Sequence, residues 1–171
     1  VLQADPTLTG RILKMANSAL LAVAQPATTA REAAMRLGLR AVRNVALGFS
    51  LLAGNRSGRC AGFDYDDYWS HSLATAVACQ LVAERTGGVE PSEAFTCGLL
   101  SGIGRLALAS VHHQAYERVL ERARGQGSVR LAEVESESLG AHHRELAAAM
   151  LRDWKLPVAF SDAVGLVGSG Q

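Results

Sequence analysis

Pro91-Ser-Glu-Ala-Phe-Thr-Cys-Gly-Leu-Leu-Ser-Gly-Ile-Gly-Arg-Leu-Ala-Leu-Ala-Ser-Val111 is the stretch whose reading decides the fold. Its proline suits a first helical turn, and Phe95, Leu99, Leu100, Ile103, Leu106 and Leu108 then cover nearly every side of a helix. A helix that is apolar all round belongs inside, so the stretch predicts one central buried helix from Pro91 to Val111 with the rest of the chain around it. Gly98, Gly102 and Gly104 each cost about 1 kcal/mol relative to alanine in a helix interior. Close approach of a neighbouring helix is the reading we favour for that cost, and a cleft that accepts a ligand or peptide is the alternative.

The flanks also read as helices, and no clear period-2 strand pattern occurs, so the fold class is all-α. Asp5-Pro6 opens a helix from Pro6 to about Ala16, with Leu8, Ile12, Leu13 and Met15 at helical spacing. Thr29 and Glu32 form a capping-box pattern and Gly38 a stop, giving a short helix from Thr29 to Leu37. From Leu39 to Ala53 the residues Val42, Val45, Ala46, Phe49 and Leu52 make a further stripe. Asp64, Asp66 and Asp67 sit where the positive end of a helix dipole favours acids, and that long helix reaches about Arg85 before Gly87-Gly88. Beyond Val111, helices are expected near 114–124, 131–139 and 142–154, with a last one after Pro157. No repeat, low-complexity segment or long linker divides the chain, which reads as one domain over residues 1–171.

A chain of 171 residues can bury roughly 70% of the surface its unfolded form exposes, so a core is possible without disulfides. Cys60, Cys79 and Cys97 are odd in number and 18 or 19 residues apart, which fits reduced structural thiols better than a disulfide framework or a zinc knuckle. No uncharged apolar run approaches 18 residues, so no membrane association is expected. The chain starts at Val1 with no charged-then-apolar leader, which reads as a cytoplasmic piece of something longer. The net charge is +1, but residues 1–60 carry +6 and residues 61–171 carry −5. Arg31, Arg36, Arg40 and Arg43 are interleaved with apolar residues, so the basic front reads as a solvated face more readily than as a nucleic-acid or anion site.

Several stretches, taken in order, resemble the HD-related output domain, or HDOD, of bacterial signalling proteins. They are Asp5-Pro-Thr-Leu-Thr-Gly-Arg-Ile-Leu-Lys-Met-Ala-Asn17-Ser18-Ala19, Ala33-Ala-Met-Arg-Leu-Gly-Leu39, Tyr68-Trp-Ser-His71-Ser72, Ala94-Phe-Thr-Cys-Gly-Leu-Leu100 with Ile103-Gly-Arg-Leu106, and Gly140-Ala-His-His143-Arg-Glu145 running on to Trp154-Lys-Leu-Pro157. The resemblance implies a compact HD-like helical bundle serving as a regulatory module beside other signalling domains, with the family's usual first helix upstream of Val1. Hydrolytic relatives hold metal with a first His on one helix and an adjacent His-Asp on the next. His71 matches the first, while Ser101-Gly102 stands where the His-Asp pair would be. Serine is a poor ligand for such a metal and glycine offers none, so the resemblance implies no metal, no other cofactor and no catalysis.

The candidate vestigial pocket or interaction site is therefore His71, Ser101, Gly102, His143, Asn17 and Ser18. His71 shares a helical face with Thr75, Ala78 and Val82, which reads as a packed core histidine. His143 reads as a hydrogen-bonding post near Glu145 and the Trp154 end of its helix, and Asn17-Ser18 as a structural helix end. The expected function is a non-catalytic signalling module acting through a protein partner or a flanking domain. Two alternatives stand beside it. One is a phosphohydrolase whose metal is held by His71 with His112, His113, His142 or His143, and the other is anionic-ligand or nucleic-acid binding through Arg36, Arg40 and Arg43.

Overall fold

Helix ends fall where short polar side chains and glycines place them. The structure, a computed structural model, describes residues 6–17, 25–38, 58–125 and 127–166. Among these the elements are all helical: α1 (Pro6–Ala16), α2 (Ala30–Leu37), α3 (Tyr65–Thr86), α4 (Pro91–Leu100), α5 (Ile103–Val111), α6 (His113–Ala123), α7 (Gly127–Leu139), α8 (His143–Asp153) and α9 (Val158–Leu166). The expected helix over Leu39–Ala53 lies outside the described residues, as does Ser18.

Thr29 caps α2 by accepting the Glu32 N–H at 3.1 Å, while the Glu32 carboxylate reaches back to the Thr28 N–H at 2.9 Å, one residue earlier than the usual box. Gly38 closes that helix at φ 78°, a conformation glycine adopts without strain. Asp64 caps α3 by accepting the Asp67 N–H at 2.8 Å, and Gly87 stops it at φ 67°. Met15, expected on the inner stripe of α1, is exposed instead, and Leu8, Ile12, Leu13 and Ala16 form the buried side.

The unbroken helix expected over Pro91–Val111 is two helices, interrupted at Ser101-Gly102. The Gly98 carbonyl, which an α-helix would offer to residue 102, is taken by Ser101, through its N–H at 3.3 Å and its hydroxyl at 2.8 Å. Gly102 then adopts ψ near 2°, outside the helical well, and its carbonyl accepts from Arg105 three residues on. The 21-residue stretch meets the length and mean hydropathy, 1.5, of a membrane-crossing helix, but it carries Glu93 and Arg105 and half of it is buried inside the protein.

Those two helices are central, as their composition implied. α4 turns back on α3, α5 packs on α6 and α8, α6 on α7, α8 on α9, and α1 lies against α2 and α4. One core cluster joins them, from Leu8, Ile12 and Leu13 through Leu100, Ile103 and Tyr116 to Leu151, Trp154 and Phe160. Each fully buried Leu or Ile in it contributes roughly 1.5–3 kcal/mol. Two glycines set the spacing. A Cβ on Gly98 would stand 2.9 Å from Ala76 Cα, so α3 and α4 touch backbone to backbone. A Cβ on Gly104 would collide with the His143 carbonyl oxygen, so the missing side chain fixes the approach of α5 to α8.

Candidate functional site

The inward face of α3 is set by Tyr68, Ser72, Ala76 and Ala83, all buried at helical spacing. His71 precedes Ser72 by one residue, about 100° around the helix, and its side chain is exposed. The core reading of His71 is thus corrected. Its row neighbours Ala78 and Val82 are apolar but exposed too, so their composition did not mark the core side. Ser101-Gly102 faces Tyr68 and Ser72: a Cβ on Gly102 would lie 3.2 Å from Tyr68 Cε2 and 3.8 Å from Ser72 Oγ.

The residues at the HD position do not fit a metal. His71 looks to solvent, the Ser101 hydroxyl is bonded to the Gly98 carbonyl, and the Tyr68 ring lies against Gly102. Among the described residues no three His, Cys, Asp or Glu side chains are gathered as a metal would need. The alternative histidines are dispersed in role. His112 is exposed at the α5–α6 junction, and His142 caps α8, its Nδ1 accepting from the Arg144 and Glu145 N–H groups. The Glu145 carboxylate completes that box by accepting the His142 N–H at 3.2 Å.

His143 is buried and hydrogen-bonded, and its carboxylate partner is Glu135 of α7. Oε2 of Glu135 accepts the His143 backbone N–H at 2.8 Å and lies 2.5 Å from its Nδ1, while Oε1 accepts the Tyr116 hydroxyl at 2.8 Å. This carboxylate is 0% exposed, so three hydrogen bonds replace water. Burial alone would raise its pKa, but the hydrogen bonds and charge of His143, with the Tyr116 hydroxyl, outweigh burial and hold it below the ordinary glutamate value of 4.5. Burial and then the Glu135 charge push Tyr116 far up, so it stays a hydrogen-bond donor. Arg105 approaches the same tyrosine with an opposing positive charge and lies 5.6 Å from the Phe63 ring centroid.

Sequence reasoning missed Glu135. A signal was present: Leu131, Glu135 and Leu139 occupy one i, i+4, i+8 row next to Val134, placing an acid on the apolar stripe of α7.

Asn17 is a buried tie. Its Nδ2 donates to the carbonyls of Ala27 at 3.0 Å and Trp154 at 3.2 Å, and its Oδ1 accepts from the Ala27 N–H at 2.7 Å and from Arg36 at 3.3 Å. It joins the end of α1 to the loop before α2 and to the end of α8. Arg36 is thereby engaged inside the fold, and Arg40 and Arg43 lie outside the described residues. Cys60 is buried, and Cys79 and Cys97 are half-buried. Burial first, then the charge of Cys79, pushes the Cys97 thiol up to about 11, away from the reactive thiolate.

A sequence model of the HDOD domain matches residues 1–167. The chain belongs to the HDOD family. This HDOD domain is similar to the MmoQ response regulator from Methylococcus capsulatus str. Bath, with a TM-score of 0.92 and 42% identity over 99% of this chain and 66% of that one. An HDOD domain protein of unknown function from Geobacter sulfurreducens superposes at a TM-score of 0.58 and 26% identity, covering 96% of this chain and 54% of that one. A putative phosphohydrolase from Shewanella amazonensis SB2B gives 0.57 and 26%, covering 98% and 58%. An uncharacterized protein of Treponema pallidum (strain Nichols) is 26% identical over 165 residues, 90% of this chain and 29% of that one. The HDOD domain here thus spans about two-thirds of the MmoQ chain and less than a third of the Treponema chain.

Proposed function

We propose that this HDOD domain is a non-catalytic regulatory module of signal transduction, working by contact with a protein partner or a flanking signalling domain. The observation that carries the reading is the packing at Gly102, where the Tyr68 ring and Ser72 occupy the side facing the replaced His-Asp position and His71 points away. A hydrolytic metal needs several converging donors, and the chemistry of Ser101 and Gly102 does not supply them. The likeness to a chain named as a response regulator supports a signalling context. The domain then requires no cofactor, and its output is a surface.

The test is a hydrolysis assay of the purified domain with Mn²⁺ on cyclic dinucleotides and nucleoside phosphates. We expect turnover no faster than in buffer. Hydrolysis that is lost in His71→Ala would overturn the reading. Affinity capture from the native cell should return a signalling protein, and capture of nucleic acid instead, released by salt, would also overturn it.

A further inference from the structure

α3 carries a second apolar face opposite the one it buries. Leu73, Val77 and Leu81 form an i, i+4, i+8 row of residues that are 40%, 43% and 48% exposed, and Ala74 and Ala78 are exposed beside them. A helix apolar on both faces is ordinarily covered on both. From the composition of this face we infer that its partner is a second copy of this chain, paired antiparallel through α3 about a two-fold axis near Thr75-Ala76.

The face matches itself in that register. In an isologous pair, residue i meets j and j meets i. With the axis near Thr75-Ala76, Leu73 packs on the partner's Val77 along one flank. Ala74 meets the partner's Ala78 along the other, where two small side chains let the helices approach closely. Leu81 covers the partner's Ser70. At the ends, Arg85 in the last turn meets the partner's Asp67 in the first turn, and the two-fold axis makes that ion pair twice. One kind of opposition remains, also made twice by the axis, between Asp66 and the partner's Glu84, both exposed; Glu84 already accepts a hydrogen bond from Gln80 at 2.9 Å. Asp67 to Arg85 spans about 27 Å of helix. One such helix pair covers less than the roughly 800 Å² per partner of a standard interface, so the dimer should be weak and concentration-dependent. It neither requires nor follows from a regulatory role, so a catalytic domain could dimerise in the same way.

Sedimentation equilibrium over a wide concentration range should show the monomer mass doubling. Val77→Glu should remain monomeric where the wild type is dimeric, with an unchanged circular dichroism spectrum. Arg85→Glu should weaken the dimer about tenfold, and adding Asp67→Arg should restore it. Because Cys79 and Cys97 are half-buried, the cross-link is read in a background with Cys60, Cys79 and Cys97 changed to Ala, where Val77→Cys treated with a short bis-maleimide should give a cross-linked dimer that the cysteine-free parent does not. A wild type monomeric throughout overturns the inference. So does an introduced thiol in Val77→Cys that is unreactive in the monomer, which would mean that another part of the same chain covers the face. A dimer indifferent to both Val77→Glu and the charge swap overturns it as well.

Discussion

The α3–α4 contact and the α6–α7–α8 contact are built in opposite ways. Between α3 and α4, where HD relatives gather histidines and aspartates, Gly98 and Gly102 bring the helices together over Ala76, Tyr68 and Ser72. Between α6, α7 and α8, one enclosed carboxylate, Glu135, organises Tyr116 and His143. The first region has Ser101 and Gly102 at its centre and is closed by backbone and ring packing. The second carries a buried carboxylate whose hydrogen bonds join α6, α7 and α8. A family's motif position and a molecule's polar centre are therefore separate questions.

The largest expected effect lies at the edge of the second region, at the approach of α5 to α8. Gly104→Ala drives a methyl group into the His143 carbonyl oxygen, which is backbone and cannot swing aside. We expect a loss of roughly 3 kcal/mol or more, or failure to fold, measured by urea unfolding. A loss below about 1 kcal/mol would mean that α5 and α8 separate easily and that the polar network is not braced by glycine packing.

Next comes Glu135→Ala, which leaves the Tyr116 hydroxyl and the His143 N–H buried without an acceptor. A loss of about 3 kcal/mol is expected, and Glu135→Gln, which retains an acceptor oxygen, should lose less.

The same carboxylate predicts a pH dependence. Its folded pKa is lowered, so its stabilisation is fully present above the unfolded value near 4.5 and is lost as pH falls through the lower folded value. Urea unfolding followed from neutral pH into the acid range should show this acid limb in the wild type, and Glu135→Gln should flatten it. An unchanged limb would assign the acid sensitivity to other carboxylates.

The smallest effect is expected at the family's retained histidine. His71→Ala removes an exposed side chain and should change stability by no more than about 0.5 kcal/mol. A loss of about 2 kcal/mol would restore the core role and erase the contrast between the two regions.

Local chemistry made much of the fold legible. Pro6, Thr29, Asp64 and Pro91 open helices, Gly38 and Gly87 close them, and the α1 bounds agree with the expectation residue for residue. These signals act within a turn or two of chain, so sequence carries them almost whole. The break at Ser101-Gly102 was less legible, because composition predicts a buried stretch while a serine's capture of one carbonyl decides whether it stays helical.

What the sequence determined alone was the all-α class, the central place of residues 91–111, the HDOD resemblance and the absence of His-Asp at 101–102. What only tertiary structure decided was direction. His71 and Ser72 are neighbours in the chain, yet the register of α3 against α4 sends one to solvent and the other toward Gly102. Glu133, Glu135 and Glu137 are the same residue on one helix, yet only Glu135 is turned inward to meet groups 8 and 19 residues away. Helical periodicity tells which residues share a face, but the packing of other helices chooses which face is covered.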